Sequence, residues 1–174
     1  MKKIVAIALF AGALMVSANT NAQTDDKAKR ASPQVVATGK LSSGAKVKVD
    51  YSQPALKGRT IGKDLEPMDG KLWRTGANEA TVLETDQDIM VMDQKLPAGK
   101  YALFTIFNGD DVTVIFNKTA KQWGAYDYKE ADDAIRVKTK ATVASPAAEK
   151  LTFKVSTNSI GFTWGNKKVD IPVK

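Results

Sequence analysis

The chemistry open to this chain is limited first by what it lacks: it contains no histidine and no cysteine. Ser-His-Asp and Cys-His catalysis are thereby excluded, and so are zinc or iron sites held by imidazole or thiolate. What remains is the chemistry of carboxylates, tyrosine, lysine and arginine. The densest gathering of such groups is the run Trp73-Arg74-Thr75-Gly76-Ala77-Asn78-Glu79-Ala80-Thr81. It sets a guanidinium fork, an amide and a carboxylate beside an indole. Small residues between them let backbones approach closely. An aromatic face that stacks a ring, next to polar groups that fix its orientation, is the composition of a sugar or small-metabolite site. A second aromatic wall is offered by Trp123, Tyr126 and Tyr128, downstream of Asn117. The residues expected to bind a ligand are Arg59, Trp73, Arg74, Asn78, Glu79, Asn117, Trp123 and Tyr126.

Three readings of this constellation compete. The first is a binding module without catalysis, with an open cleft lined by Arg59, Arg74, Asn78, Glu79 and Trp123. It takes a small polar ligand or an envelope glycan. The second is a glycan-directed or other hydrolase with Glu79 as general acid or base. That chemistry needs a second carboxylate roughly 5 to 10 Å away, and Asp127 and Glu66 are the candidates. The third is a structural or partner-binding envelope protein. It would use a free sheet edge and has no sequence feature of its own. Read as purely structural, the cluster itself has Arg59 or Arg74 pairing with Glu79 to pin the long loop, and Trp123 and Tyr126 plugging the core. A metal would have to be a hard cation held by oxygen, calcium above all. Asp86-Gln87-Asp88 and Asp110-Asp111 lack calcium-loop spacing and read as turns. Neither a metal nor a cofactor is expected.

The elements that position these groups begin after an N-terminal leader. Met1-Lys2-Lys3 is followed by a nearly unbroken apolar or small stretch from Ile4 to Ala18, then by Asn19-Thr20-Asn21-Ala22. A basic start, a short apolar stretch and a small-x-small exit are the layout of a secretory signal peptide, with cleavage after Ala22. The stretch falls short of the roughly 20 apolar residues that span a bilayer. Without cysteine the mature N-terminus cannot be lipidated. The expectation is a periplasmic or secreted protein with no stable membrane insertion, held together by its core alone. The domains expected are 1–22 as signal peptide, 23–33 as a flexible polar lead-in and 34–174 as a single all-β domain. Lys2 and Lys3 contribute two of the net +7 charges, so the mature chain carries about +5. Its lysines alternate along strands as a solvated face. No nucleic-acid partner is expected.

Strand patterns fill the rest. Ala45 to Tyr51 alternates cleanly, with Val47, Val49 and Tyr51 on one face and Lys46, Lys48 and Asp50 on the other. Lys100 to Phe107 and Val112 to Asn117 flank Asn108-Gly109, a strong hairpin signal. Both faces of Ala102 to Phe107 are largely apolar, which places this strand at the centre of the core. Gln34 to Leu41, Leu72 to Thr75, Ala80 to Thr85, Asp88 to Met92, Ile135 to Thr142 and Leu151 to Ser156 are further strands. Ser159 to Trp164 and Lys168 to Val173 complete the set, with a tight turn at Gly165-Asn166-Lys167. Lys95 to Gly99 reads as a turn, Lys129 to Ala134 as a short helical turn, and Pro54 to Lys71 as a long irregular loop. About nine or ten strands in one domain predict an all-β fold, a β-sandwich of jelly-roll or Ig-like type or a partly open barrel.

Four clusters, in this order and spacing, carry a resemblance. They are Tyr51 to Arg59, Leu72 to Thr81, Leu96 to Ile106, and Ile115 to Lys118 followed by Gln122 to Tyr128. Together they resemble the family catalogued as domain of unknown function 2911, exported bacterial proteins common in the Bacteroidetes lineage. The resemblance covers roughly Ser32 to Val155 and implies a β-sandwich. It brings no established activity, cofactor or catalytic residue. This chain departs from the pattern at Gln53, where many relatives carry an arginine, so that arginine's role is missing or replaced here.

Overall fold

The computed structural model describes residues 26–174, so the expected signal peptide and its cleavage site lie outside the described residues. Ten strands follow a short 3₁₀ turn at Lys27–Lys29: β1 (Gln34–Lys40), β2 (Lys46–Ser52), β3 (Leu72–Trp73), β4 (Ala77–Thr85), β5 (Ile89–Val91), β6 (Gln94–Leu96), β7 (Gly99–Asn108), β8 (Asp111–Asn117), β9 (Asp133–Val155) and β10 (Ser159–Pro172). All but the β5–β6 hairpin join one antiparallel sheet in the order β1-β2-β4-β7-β8-β9-β10, with β3 also on β7. The fold is all-β. The sheet curls into a half-barrel, because long β9 carries the chain back toward β1 and β2. There Ser42 N–H donates to Thr157 O at 2.8 Å and Leu56 N–H to Glu149 O at 2.8 Å.

Alternation decides which side faces in. Val47, Val49 and Tyr51 of β2 are buried, while Lys46 and Lys48 stay in solvent. The concave side holds the main core, built around Leu83, Leu103, Phe116, Phe162 and Trp164. Central strand β7 is buried on both faces, as its composition demands. Tyr101, Leu103 and Phe107 enter the main core, whereas Ala102 and Phe104 lie on the convex side. There a second, smaller cluster is roofed by Ala125 and Tyr128 of the 118–132 segment. Tyr128 meets Phe104 edge-on at 5.1 Å between centroids, a favoured aromatic arrangement. This roof matters for function, because it brings Trp123 beside β4.

The expected helical turn is present as a 3₁₀ turn at Glu130–Asp132. Three local expectations need correction. Ile135 to Thr142 and Leu151 to Ser156, read as separate strands, belong to the single strand β9 (Asp133–Val155). Gln94–Leu96, which overlaps the Lys95 to Gly99 segment read as a turn, is strand β6. Gly165-Asn166-Lys167 does not reverse the chain. Strand β10 continues through it against β9, with register shifts on both sides of Gly165. Gly165 takes φ +58°, and a Cβ there would lie 2.6 Å from Ile61 Cδ1. A glycine that could make a tight turn instead makes a bulge under the loop that packs on it.

Candidate functional site

The Trp73–Thr81 run folds as an interruption in a strand. Strands β3 and β4 pair with the same edge of β7: Trp73 sits opposite Thr105, and pairing resumes with Thr81 opposite Leu103. Residues Arg74–Ala80 therefore bulge out opposite Phe104 alone. The neck is tied by Thr81 N–H to Arg74 O at 3.1 Å and by the Thr81 hydroxyl to Thr75 O at 2.8 Å. Trp73 Nε1–H caps Gly76 O at 3.1 Å, and the Thr75 hydroxyl lies 3.1 Å from that of Thr105. Thr75 and Asn78 both hold left-handed backbones, at φ +51° and +55°. Asparagine tolerates that region, but a β-branched threonine there costs about 1–3 kcal/mol, so the surrounding bonds must hold it.

The bulge docks on the 118–132 segment. Glu79 and Trp123 form an antiparallel bridge, Ala80 N–H donates to Gln122 O at 3.0 Å, and Gly124 N–H donates to Asn78 O at 3.1 Å. Behind them Gln122 Nε2 donates to Asn117 Oδ1 at 3.0 Å and to Thr119 O at 2.6 Å. Asn117 Nδ2 in turn donates to Lys129 O and to Asp133 Oδ1. The chain of bonds ends where the Tyr128 hydroxyl donates to Asp133 Oδ2 at 2.8 Å and accepts from Arg136 Nη2. Burial, reinforced by the Asp133 charge, pushes the Tyr128 phenol up to about 12.

A cleft of about 530 Å³ opens on this seam, lined among others by Lys27, Asp50, Ser52, Glu79, Gln122 and Trp123. The Glu79 carboxylate accepts from Arg30 Nη1 at 2.7 Å and pairs with Lys27 Nζ at 3.0 Å, its side chain one-third exposed. Arg30 also stands over the Trp123 ring, 5.9 Å from its centroid. Burial would raise the Glu79 pKa. The residue's own backbone N–H, then Arg30, then Lys27 outweigh it and hold the carboxyl below its ordinary value. Glu79 is an anion at neutral pH. Trp123 is 55% exposed and Tyr126 84% exposed, so neither is a core plug.

Residues 32–173 match the family described as Protein of unknown function (DUF2911). The chain belongs to that family. No curated protein and no solved structure matches it.

In this DUF2911 chain the eight expected ligand residues are split among separate places. Glu79 and Trp123 share the cleft. Asn78 stands behind it, donating through its side chain to Ser32 O at 3.2 Å. Trp73 is 2% exposed and belongs to the core, edge-on to Phe162. Asn117 is fully buried and positions Gln122 instead of facing a ligand. Arg59 folds back on its own loop, donating to Leu56 O and Ala55 O, and does not line the cleft. Arg74 lines a different recess, with Glu66. Of the carboxylates named as partners for Glu79, neither Asp127 nor Glu66 lines its cleft, whereas Asp50 does.

Glu79 has neither expected arginine as its partner. Lys27 and Arg30 of the lead-in hold it instead, a role that sequence reasoning missed because segment 23–33 shows no periodicity. Asp50 was visible only as an outward-facing position of β2. Among the described residues no group of three or more acidic side chains is placed to hold a metal ion, and no helix is long and apolar enough to cross a membrane.

Proposed function

We propose that this protein is exported and works outside the cytoplasm as a binding module, holding a small polar ligand or glycan in the Glu79–Trp123 cleft without turning it over. One observation carries the reading. A half-exposed indole and an ionised carboxylate share the wall of a 530 Å³ cleft whose backbone is fixed by the β4 bulge and the Gln122–Asn117 bonds. That pairs a stacking face with orienting polar groups on a rigid frame, as small-ligand sites do. The leader-like sequence from Met1 to Ala22 supports export. Glu79 is held ionised by Arg30 and Lys27, which suits it to accept hydrogen bonds and unsuits it to donate a proton to a leaving group.

The experiment is a titration of the mature chain, followed by tryptophan fluorescence, with neutral and acidic mono- and oligosaccharides. Trp123→Ala should abolish binding as measured by calorimetric titration, which does not depend on the indole as reporter, while melting within about 2 °C of the parent, since the ring is exposed. Glu79→Gln should weaken binding and leave the fold intact. If both variants unfold, the cluster is a structural clamp and the reading fails.

A further inference from the structure

The Glu79–Trp123 cleft already holds a cation, and the chain itself supplies it. Arg30 stands over the Trp123 ring, its guanidinium carbon 5.9 Å from the centroid, and donates through Nη1 to Glu79 Oε2 at 2.7 Å. Lys27 Nζ takes the other carboxylate oxygen at 3.0 Å. A guanidinium shared by an indole face and a carboxylate is attracted twice, by the negative face of the ring and by a full negative charge. Both cations belong to the lead-in before β1, a strap tied further along by Asn78 Nδ2 to Ser32 O at 3.2 Å and by Gln53 N–H to Pro33 O at 2.8 Å. Those ties lie on the β1 side of Arg30, so the strap can lift from the cleft while staying anchored. Its outer part is lightly held: the 3₁₀ turn Lys27–Lys29 buries no residue. The Lys27 and Glu79 side chains are 44% and 33% exposed, so water and salt screen their attraction.

Lifting the strap changes what the cleft attracts. Without Lys27 and Arg30, the carboxylates Glu79 and Asp50 face one cation among the described lining residues, the exposed Lys121. Asp50 is already engaged by Gln34 Nε2 and by Lys48 Nζ at 3.7 Å. Glu79 is left as a bare carboxylate beside the exposed indole. A neutral ligand that displaced the strap would leave this charge unpaired, and an anion would be repelled by it. A cation restores both attractions. We propose, resting on the reading of this cleft as a ligand site, that its ligand carries a guanidinium or primary ammonium group, which replaces Arg30 on Glu79 and Trp123. The lead-in is then a built-in competitor. Tethering gives Arg30 an effective concentration on the order of millimolar, so a free cation binds the intact chain more weakly than it binds an unoccupied cleft.

The test follows the Trp123 indole N–H in the mature chain labelled with nitrogen-15, at about pH 6.5, where Glu79 is ionised and amines are protonated. The probes are two cations with their neutral counterparts: N-acetylarginine amide with N-acetylcitrulline amide, and glucosamine with N-acetylglucosamine. At least one cation should shift the signal saturably, and which one does so tells a basic peptide side chain from an amino sugar. Its neutral counterpart should bind at least about tenfold more weakly. Lys27→Gln combined with Arg30→Gln should tighten cation binding by about tenfold or more. In the unaltered protein the Arg30 Nε–H signal should move in step with the Trp123 indole, a displacement readout that does not depend on a variant's folding. No response to either cation at tens of millimolar overturns the proposal. So does a neutral counterpart that binds as tightly, a double variant that binds no tighter than the parent, or an Arg30 signal that stays in place while the cation saturates. A Trp123 signal that answers neutral sugars and ignores both cations overturns this inference and leaves the binding reading standing.

Discussion

Replacing Gly76 by alanine tests whether the β4 bulge is the rigid frame on which the Glu79–Trp123 cleft depends. A Cβ at position 76 would lie 2.9 Å from the Thr81 hydroxyl and 3.2 Å from Ser52 O. The second neighbour is backbone of β2 and cannot turn aside. The first is the group that ties the bulge neck through its 2.8 Å bond to Thr75 O. Relief therefore requires the Thr81 rotamer to change, or the bulge to move off β2 by several tenths of an ångström. Overpacking of this kind costs about 1–3 kcal/mol, and a lost buried hydrogen bond adds about 1 kcal/mol. A total near 3 kcal/mol lowers the melting temperature of a domain this size by roughly 6–12 °C. The assay is thermal unfolding by circular dichroism, with the Trp73 indole N–H followed by NMR, because its acceptor is Gly76 O. A variant melting within about 2 °C of the parent, with an unshifted indole signal, would refute the claim that the bulge is tightly held.

Asn117→Ala removes the buried amide that joins Gln122, Lys129 and Asp133, and should destabilise the fold by about 3 kcal/mol or more in denaturant unfolding. The Tyr128 phenol, raised to about 12, should titrate in ultraviolet absorbance well above the ordinary tyrosine value of 10.0, and Tyr128→Phe should remove that transition. Because the raised value favours the neutral phenol, its stabilisation is complete below the ordinary pKa near 10 and is lost as pH rises toward 12. Tyr128→Phe should remove that alkaline loss. The lowered Glu79 pKa has the opposite sign. The hold of Lys27 and Arg30 on Glu79 is present above the ordinary carboxyl value of 4.5 and is lost as pH falls through the lower folded one. Limited proteolysis after Lys27 and Arg30 should accelerate only below about pH 4.5, and added salt should mimic part of the effect because the pair is partly exposed.

Residue types and period carried much of this molecule. The alternation of Lys46 to Tyr51 is a half-buried strand, and the doubly apolar run from Ala102 to Phe107 is the strand buried on both faces. Asn108-Gly109 marks a hairpin, because local backbone preference and strand pairing agree there. The Trp73–Thr81 run stands out by composition. Gly165 was ambiguous, since a glycine with a left-handed backbone serves a tight turn and a bulge equally well. Only the pairing of β10 along β9 chose between them.

Partner choice across the fold was beyond the sequence. Arg74 and Glu79 lie close in the chain, yet they do not pair: Glu79 meets Lys27 and Arg30 of the lead-in, while the Arg74 guanidinium reaches toward Gly124. Nothing in the order of residues says that Arg30, from a stretch without periodicity, reaches Glu79 and Trp123, because an ion pair leaves no repeat behind it. The sequence by itself determined strands, their inward faces and the absence of imidazole and thiol chemistry, all of which follow from side-chain type and near-neighbour spacing. The tertiary structure alone decided which charges meet and which stay unanswered, because that depends on how the half-barrel curls distant segments together.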